Sequence, residues 1–102
     1  MPNFVLAYHG GKRPETPEEG EAEMDRWRSW FSDMGDSVVD AGNPVGKSKT
    51  VAASGVSDDG GPNPLSGFSI VMADTIDGAV ELAKGCPILP DGTIEVAEIM
   101  EM

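Results

Sequence analysis

Residues 16–46 read TPEEGEAEMDRWRSWFSDMGDSVVDAGNPVG, and they contain the signals for a helix and for the strand that follows it. A hydroxyl at Thr16, a proline at position 17 and a glutamate three residues after Thr16 form a helix start that satisfies free backbone amides. Apolar side chains then recur at spacings of three and four, and Gly35 ends the pattern: Met24, Trp27, Phe31 and Met34. We therefore predict an acidic helix with one apolar stripe, followed directly by an extended segment at Val38–Val45.

Strands are predicted on both sides of this helix. Asn3–Tyr8 precedes it and is rich in strand-forming residues. After it, we predict that Thr50–Val56 pairs with Val38–Val45 through a turn at Gly46–Ser48. The segment Ser57–Pro64 contains two glycines and two prolines, so it is expected to be a loop and the best candidate for a functional one.

The last third of the chain predicts a strand, a second helix and a closing strand. In Phe68–Ala73, both sets of alternating residues are apolar or small, so neither face of the strand is polar, which is typical of a central strand. Asp74 or Thr75 is expected to cap the helix, and Thr93–Met100 is the last strand. Four positions of this helix are expected to face the core, with a glycine at its end: Ile76, Ala79, Val80, Ala83 and Gly85.

This order of elements predicts a single α+β domain over residues 1–102. Right-handed crossovers would place both helices on one face of an antiparallel sheet, in a ferredoxin-like split βαβ arrangement. One side of the sheet would face the helices through Phe4, Leu6 and Tyr8. The other side is expected to carry Val5, Ala7, Val71 and Ala73. Such an apolar face needs a cover, so we predict a homodimer formed through the sheet face.

Charge and composition exclude several classes of partner. The formal net charge is −11, from 18 acidic and 7 basic residues, so nucleic acid and anionic membrane surfaces would be repelled. No stretch approaches the roughly 20 apolar residues that span a bilayer. Residues 1–20 lack the pattern of a secretory signal, and one cysteine cannot form an internal disulfide. We therefore expect an acidic cytoplasmic protein.

The chain resembles the YCII-related family, and in particular its branch with a DGPF-like loop. Five segments carry the resemblance, in order: MDRWRSWFSDMG (24–35), VVDAGNPVG (38–46), DDGGPNPLSGF (58–68), FSIVMADTIDGAVELAKGCP (68–87) and GTIEVAEIM (92–100). The resemblance implies a dimeric α+β barrel, in which two sheets pack face to face and a cleft forms at the strand ends.

Departures from the family pattern leave catalysis open. Some members are proposed to use a histidine on the first helix with an aspartate before the proline that follows the second helix. Those positions hold Met24 and Cys86 here, and neither a thioether nor a neutral thiol replaces that pair. The loop reads Asp59-Gly60-Gly61-Pro62, so the aromatic residue of a DGPF motif is missing or displaced.

His9 is the leading candidate for acid or base chemistry, because it is the only histidine and lies where the first strand meets a glycine loop. Asp59 is the carboxylate that we expect to orient it, although Asp40 and Asp58 could also approach. The alternative is an exposed strand-end histidine with one hydrogen bond. Spacing alone does not choose between these roles.

Lys12, Arg13 and Trp30 are the remaining ligand-binding candidates. The two cations follow the amides of Gly10 and Gly11 and could hold a small anion, although solvated charges that balance the acidic helix explain them as well. Trp27 is expected in the core. Trp30 lies beside the centre of the stripe and could line a cleft or an interface.

No metal site or cofactor is predicted. One histidine and one cysteine far apart are too few ligands for zinc, and DDGGPNP lacks the alternating oxygen ligands of a calcium loop. Cys86 follows the second helix, where its thiolate would not be stabilised, so it is expected to be an unreactive packing residue.

Three functions remain open at this point. The first is a homodimeric protein that binds a small organic molecule, with anions among the candidates. The second is a cofactor-independent lyase or isomerase that uses His9 as proton shuttle and Asp59 to orient it. The third is an accessory domain that acts through protein contacts.

Overall fold

The computed structural model describes residues 1–11 and 13–102. These residues form six strands and two α-helices, with a short 3₁₀ turn at Gly35–Ser37. The elements are β1 (Asn3–Gly10), α1 (Pro17–Met34), β2 (Val38–Pro44), β3 (Thr50–Ala52), β4 (Gly55–Ser57), β5 (Leu65–Met72), α2 (Ile76–Ala83) and β6 (Gly92–Glu98).

The ends of both helices follow from local chemistry. The Thr16 hydroxyl accepts a hydrogen bond from the Glu19 amide at 3.1 Å, while the Glu19 carboxylate accepts one from the Glu15 amide at 2.8 Å. Gly35 ends α1 with a φ of 55°, and its amide donates to the Phe31 carbonyl. At α2, the cap is Thr75, whose hydroxyl accepts from the Gly78 amide. The predicted helix starts and the glycine stop of α1 are confirmed.

The main sheet has four strands in the order β2-β5-β1-β6, and every neighbouring pair is antiparallel. This is the strand order of a ferredoxin-like α+β fold, as predicted. None of the helices in the described part of the chain is long and apolar enough to cross a membrane.

One hydrophobic core fills the space between the sheet and the helices. Phe4, Leu6 and Tyr8 point into it from β1, as expected. The prediction that Val71 and Ala73 lie on the other face is wrong, because both are buried in the same core. The register explains this: Val71 pairs directly with Phe4, and directly paired residues share a face.

The opposite face of the sheet carries no helix, and we call it the open face. It holds a band of half-buried apolar side chains in the two central strands: Val5, Ala7, Phe68, Ile70 and Met72. The expectation of an apolar face without a helix cover therefore holds, with Val5 and Ala7 as predicted and three β5 residues in place of Val71 and Ala73.

The predicted strand at Thr50–Val56 is also wrong. Its residues turn back at Ala53 and Ser54, so that β3 pairs with β4 in a separate two-stranded ribbon. The partner of β2 is instead β5. We call Thr50–Ser57 the hairpin arm. This hairpin was not predicted, because its residues are small and include neither Asn-Gly nor Asp-Gly, the strongest short signals for a hairpin turn.

Two further expectations about helix faces, those for Met24 and Ile76, are corrected. Met24 is 54% exposed at one end of the α1 stripe, and Ile76 is 48% exposed on α2. Trp30, placed beside the stripe, is only 7% exposed, whereas Trp27 is half-buried. Met24 is exposed because only the C-terminal half of α1 packs tightly against the core, while a groove separates its N-terminal half from the sheet.

Candidate functional site

A groove with a volume of about 1040 Å³ lies beneath α1. It runs between the N-terminal half of α1 and the adjoining ends of β1, β2 and β5. Three aromatic side chains form its inner wall: Tyr8, Trp27 and Phe31. The sheet side consists largely of small residues, including Gly42, Gly67 and Ser69. A flat molecule could therefore lie between the helix and the strand ends.

The aromatic wall is a connected cluster. The Trp27 ring meets the Tyr8 ring edge-on, with centroids 5.2 Å apart, and lies 6.0 Å from the Phe31 ring. Trp30 contacts Trp27 from behind, with centroids 5.6 Å apart. Edge-on packing of this kind holds rings in one orientation. The wall is therefore formed before any ligand enters.

Tyr8 is held at the base of the groove by a short chain of hydrogen bonds. Its hydroxyl donates to Ser69 Oγ at 2.7 Å, and Ser69 in turn donates to the Ala41 carbonyl at 2.6 Å. Burial raises the pKa of the Tyr8 phenol well above its ordinary value, although the bond to Ser69 opposes that shift. Tyr8 therefore stays neutral, and its hydroxyl proton is already used in the hydrogen bond to Ser69.

Charged side chains lie at the groove's edges. Arg13 lines it, and no ion pair joins Arg13 to a carboxylate in residues 1–11 and 13–102. Arg28 also lines it but donates to Asp25 at 3.0 Å. Glu21 and Glu23 add negative charge nearby. Lys12, predicted to act with Arg13, lies outside the described residues.

His9 lies on the open face and does not line the groove. Its Nδ1 is 2.9 Å from the Asn63 carbonyl oxygen, and because a carbonyl only accepts, Nδ1 carries the proton. Nε2 is buried without a hydrogen-bond partner, and the nearest carboxylate oxygen is Glu95 Oε1 at 3.4 Å. The neighbour of His9 is thus Glu95, while the Asp59 carboxylate accepts from the Gly61 amide at 3.0 Å.

Trp30 is a buried support rather than a wall of the groove. Its Nε1 donates to the Leu82 carbonyl at 3.0 Å, which ties α1 to α2. Gly85 lies against the same ring, since a Cβ there would sit 3.3 Å from Trp30 Cδ1. The structure therefore separates the predicted site residues: Arg13 lines the groove, His9 lies on the open face and Trp30 lies between the helices.

Cys86 is buried beyond the end of α2, in agreement with a packing role. Burial raises the pKa of its thiol to about 11, against a smaller opposing effect of a backbone hydrogen bond at Ile88. Among the described residues, no group of three or more His, Cys, Asp and Glu side chains could hold a metal ion.

The buried thiol predicts a loss of stability in alkali. An unfolded cysteine ionises at about pH 8.5, whereas the folded Cys86 thiol ionises at about 11. Above about pH 8.5 the unfolded chain therefore binds fewer protons, and the free energy of unfolding should fall until the pH passes about 11. Urea titrations from pH 7 to 11 should show this fall, and Cys86→Ala should make it shallower. Equal slopes in both proteins would contradict the assignment.

Two features of the site were missed from the sequence. Tyr8 and Ser69 are sixty-one positions apart, and nothing local indicates their contact. Glu95 could have been found from two rules. Side chains alternate along a strand, so Tyr8 and His9 lie on opposite faces of the sheet. The predicted topology also places the closing strand, which carries Glu95, next to the first strand. The same alternation separates His9 from the groove.

Comparison with known proteins adds one match. Residues 31–102, well over half of the chain, match the sequence model of the YCII-related domain. The matched region runs from the end of α1 through β6. No curated protein matches the chain.

Proposed function

The chain belongs to the YCII-related family, and from that premise we propose that it is a homodimer that binds a small organic anion in the groove beneath α1. We further propose that residues 1–102 act as one cytoplasmic domain. The observation that carries the proposal is the groove itself, which combines a preformed aromatic wall with Arg13, an arginine without an ion pair among the described residues. Its volume of about 1040 Å³ suits a small ligand.

The groove favours a flat and mostly apolar ligand body. Trp27 and Phe31 offer ring surface, and the glycines opposite them leave room for a planar molecule to approach the backbone. Tyr8 closes the inner end with its hydroxyl already bonded to Ser69. Binding would therefore draw mainly on burial of apolar surface, with polar groups setting the orientation.

The charges favour a single negative group on that ligand. Arg13 has no ion pair in the part of the chain that the structure describes and can pair with an acid, whereas Arg28 is already paired with Asp25. Glu21 and Glu23 would repel a second negative charge. A monocarboxylate or monosulfonate fits this balance better than a nucleotide, whose phosphates carry several charges.

The homodimer is supported by the open face. Its half-buried apolar residues lie in adjacent strands, and no helix in the described chain covers them. Two such faces packed together would form the α+β barrel of the family. A second copy carries the same surface, so a two-fold interface is self-complementary.

An acid–base role for His9 is the second candidate, favoured by one observation. The Asn63 carbonyl fixes the proton on Nδ1 and leaves Nε2 free beside Glu95. In the proposed dimer this pair would lie at the rim of the packed sheets. A compound that co-purifies with the protein and is converted by the parent, but not by His9→Ala, would favour this role over simple binding.

The binding proposal is tested with a dye pair. 1-Anilinonaphthalene-8-sulfonate is aromatic and carries one negative charge, and N-phenyl-1-naphthylamine is the same framework without it. We expect Arg13→Gln to weaken binding of the sulfonate about three- to tenfold, which corresponds to about 0.7–1.4 kcal/mol. Binding of the neutral dye should be unchanged.

Arg26→Gln is the matched control, because Arg26 lies on α1 but lines a different, shallower depression. It should leave the affinity for both dyes unaltered. If Arg13→Gln and Arg26→Gln bind the sulfonate equally well, the groove does not use Arg13 and the proposed anion site is refuted.

A further inference from the structure

The hairpin arm is the most exposed apolar element of the described chain. Val51 and Val56 are cross-strand partners on the arm, and they are 78% and 63% exposed. The other six residues of the arm are exposed as well. A lone two-stranded ribbon is at best marginally stable in water, so an arm of this kind needs a surface to pack on.

The arm is nevertheless held firmly at its base. Thr50 Oγ1 donates to the Asp59 carbonyl at 2.7 Å, and Lys49 Nζ lies 3.5 Å from Asp58 Oδ1. Gly60 allows the base to close, because a Cβ at that position would lie 2.9 Å from Ser48 Cβ. The arm therefore projects in a set direction. The radius of gyration, 14.8 Å, is larger than the value of about 13 Å typical for a compact chain of this length.

The area of the open face indicates what the arm packs on. The four strands of the sheet have seven or eight residues each. Strands lie about 4.8 Å apart and rise about 3.3 Å per residue, so the sheet covers a plane of about 450 Å². A stable interface of standard size buries about 800 Å² per partner. The footprint of the sheet face is therefore smaller than a standard interface, and the exposed valines of the arm are an apolar surface that could add to it.

Charge supports a second copy as the partner. Lys47 and Lys49 stand at the base of the arm, and residues 47–57 contain no carboxylate, whereas the whole chain has a net charge of −11. The open face has acidic groups at Asp40 and Glu95, opposite Ile70 and Ala7. The arm itself carries no charged residue, and Lys49 at its base is paired with Asp58. It can therefore pack beside the carboxylates of the open face without adding to the repulsion between two acidic chains, and Lys47 adds a positive charge next to it.

We propose that each hairpin arm packs Val51 and Val56 on the rim of the open face of a second copy, and so completes the dimer interface. This inference rests on the proposed homodimer. By two-fold symmetry both arms make the same contact, so removing the valines removes two contacts from one interface.

Sedimentation equilibrium tests the proposal with Val51→Ser/Val56→Ser. We expect the dissociation constant of the dimer to rise at least tenfold while the far-ultraviolet circular dichroism spectrum stays unchanged. Ile76→Ser is the control, because it removes a 48% exposed aliphatic side chain from the helix layer, away from the open face. Its dissociation constant should equal that of the parent.

The outcomes separate the arm from the homodimer itself. If the parent is a dimer and the valine-to-serine variant has the same dissociation constant, the arm contact is refuted while the homodimer is supported. A monomeric parent would refute both.

A second measurement does not depend on the folding of that variant. Val51 is replaced by the photo-crosslinker p-benzoylphenylalanine in a mixture of ¹⁴N- and ¹⁵N-labelled protein. Crosslinks of mixed isotope to residues 5–9, 40 or 93–97 are expected. Crosslinks within one chain, or to the groove beneath α1, would contradict the proposal.

Discussion

Trp30→Ala is expected to lower the free energy of unfolding by about 3–5 kcal/mol. The ring is 7% exposed, contacts the Trp27 and Phe31 rings, and lies against Gly85 beyond the end of α2. Its removal leaves a cavity between the helices and breaks the hydrogen bond from Trp30 Nε1 to the Leu82 carbonyl, which then keeps only the bond from the Gly85 amide. A small domain has a total stability of about 5–15 kcal/mol, so this change consumes a large part of it.

Urea unfolding followed by circular dichroism measures this loss, and Trp27→Ala is the comparison. Trp27 is half-buried and lines the groove, so its loss should be clearly smaller than that of Trp30. If the two variants lose equal stability, or if Trp27→Ala loses more, the arrangement of the α1 rings described above is incorrect.

Gly42→Ala is expected to lower the free energy of unfolding by about 3 kcal/mol or more. Gly42 has a φ of 71°, and a Cβ there would lie 1.8 Å from the Phe68 carbonyl oxygen. The backbone conformation alone costs a residue with a side chain about 1–2 kcal/mol. Relief of the clash requires β2 to move away from β5, which adds about 1–3 kcal/mol.

Gly35→Ala separates these two contributions. Gly35 also has a positive φ, 55°, but no atom lies within 4 Å of the Cβ position. Because its ψ of −124° lies outside the left-handed helical region, the backbone cost to alanine is about 1–3 kcal/mol, with no clash added. Thermal unfolding of both variants would test this, and equal midpoints would show that the contact with Phe68 is not tight.

The sequence was sufficient where structure depends on neighbours along the chain. The cap at Thr16, the stop at Gly35 and the cap at Thr75 each follow from a side chain or glycine within a few residues. The strand order follows in turn from the order of the elements and the handedness of their connections. These local rules were enough to predict the α+β fold.

The sequence failed where structure depends on register. Phe68–Ala73 is apolar or small on both faces, so alternation could not tell which face meets the helices. The pairing of Val71 with Phe4 decides it, and that pairing is a long-range property. The hairpin arm was missed for a related reason, since β2 pairs with β5 instead of with the next extended segment.

The candidate site was predicted only in part for the same reason. Arg13 was expected at a ligand site and does line the groove, whereas His9 faces the other side of the sheet. Trp27 was expected in the core but lines the groove, whereas Trp30 was expected at a cleft or interface but is buried between the helices. The groove separates the N-terminal half of α1 from the sheet, so only the ring of Trp30 reaches the space between the helices. Helical spacing alone does not reveal such a groove.

A second copy of the chain covers the open face in the proposed homodimer. Native mass spectrometry at micromolar concentration shows this, because it reports the mass of the assembly. We expect a species of twice the 10.7 kDa chain mass. A spectrum with only the 10.7 kDa species across that concentration range would refute the homodimer.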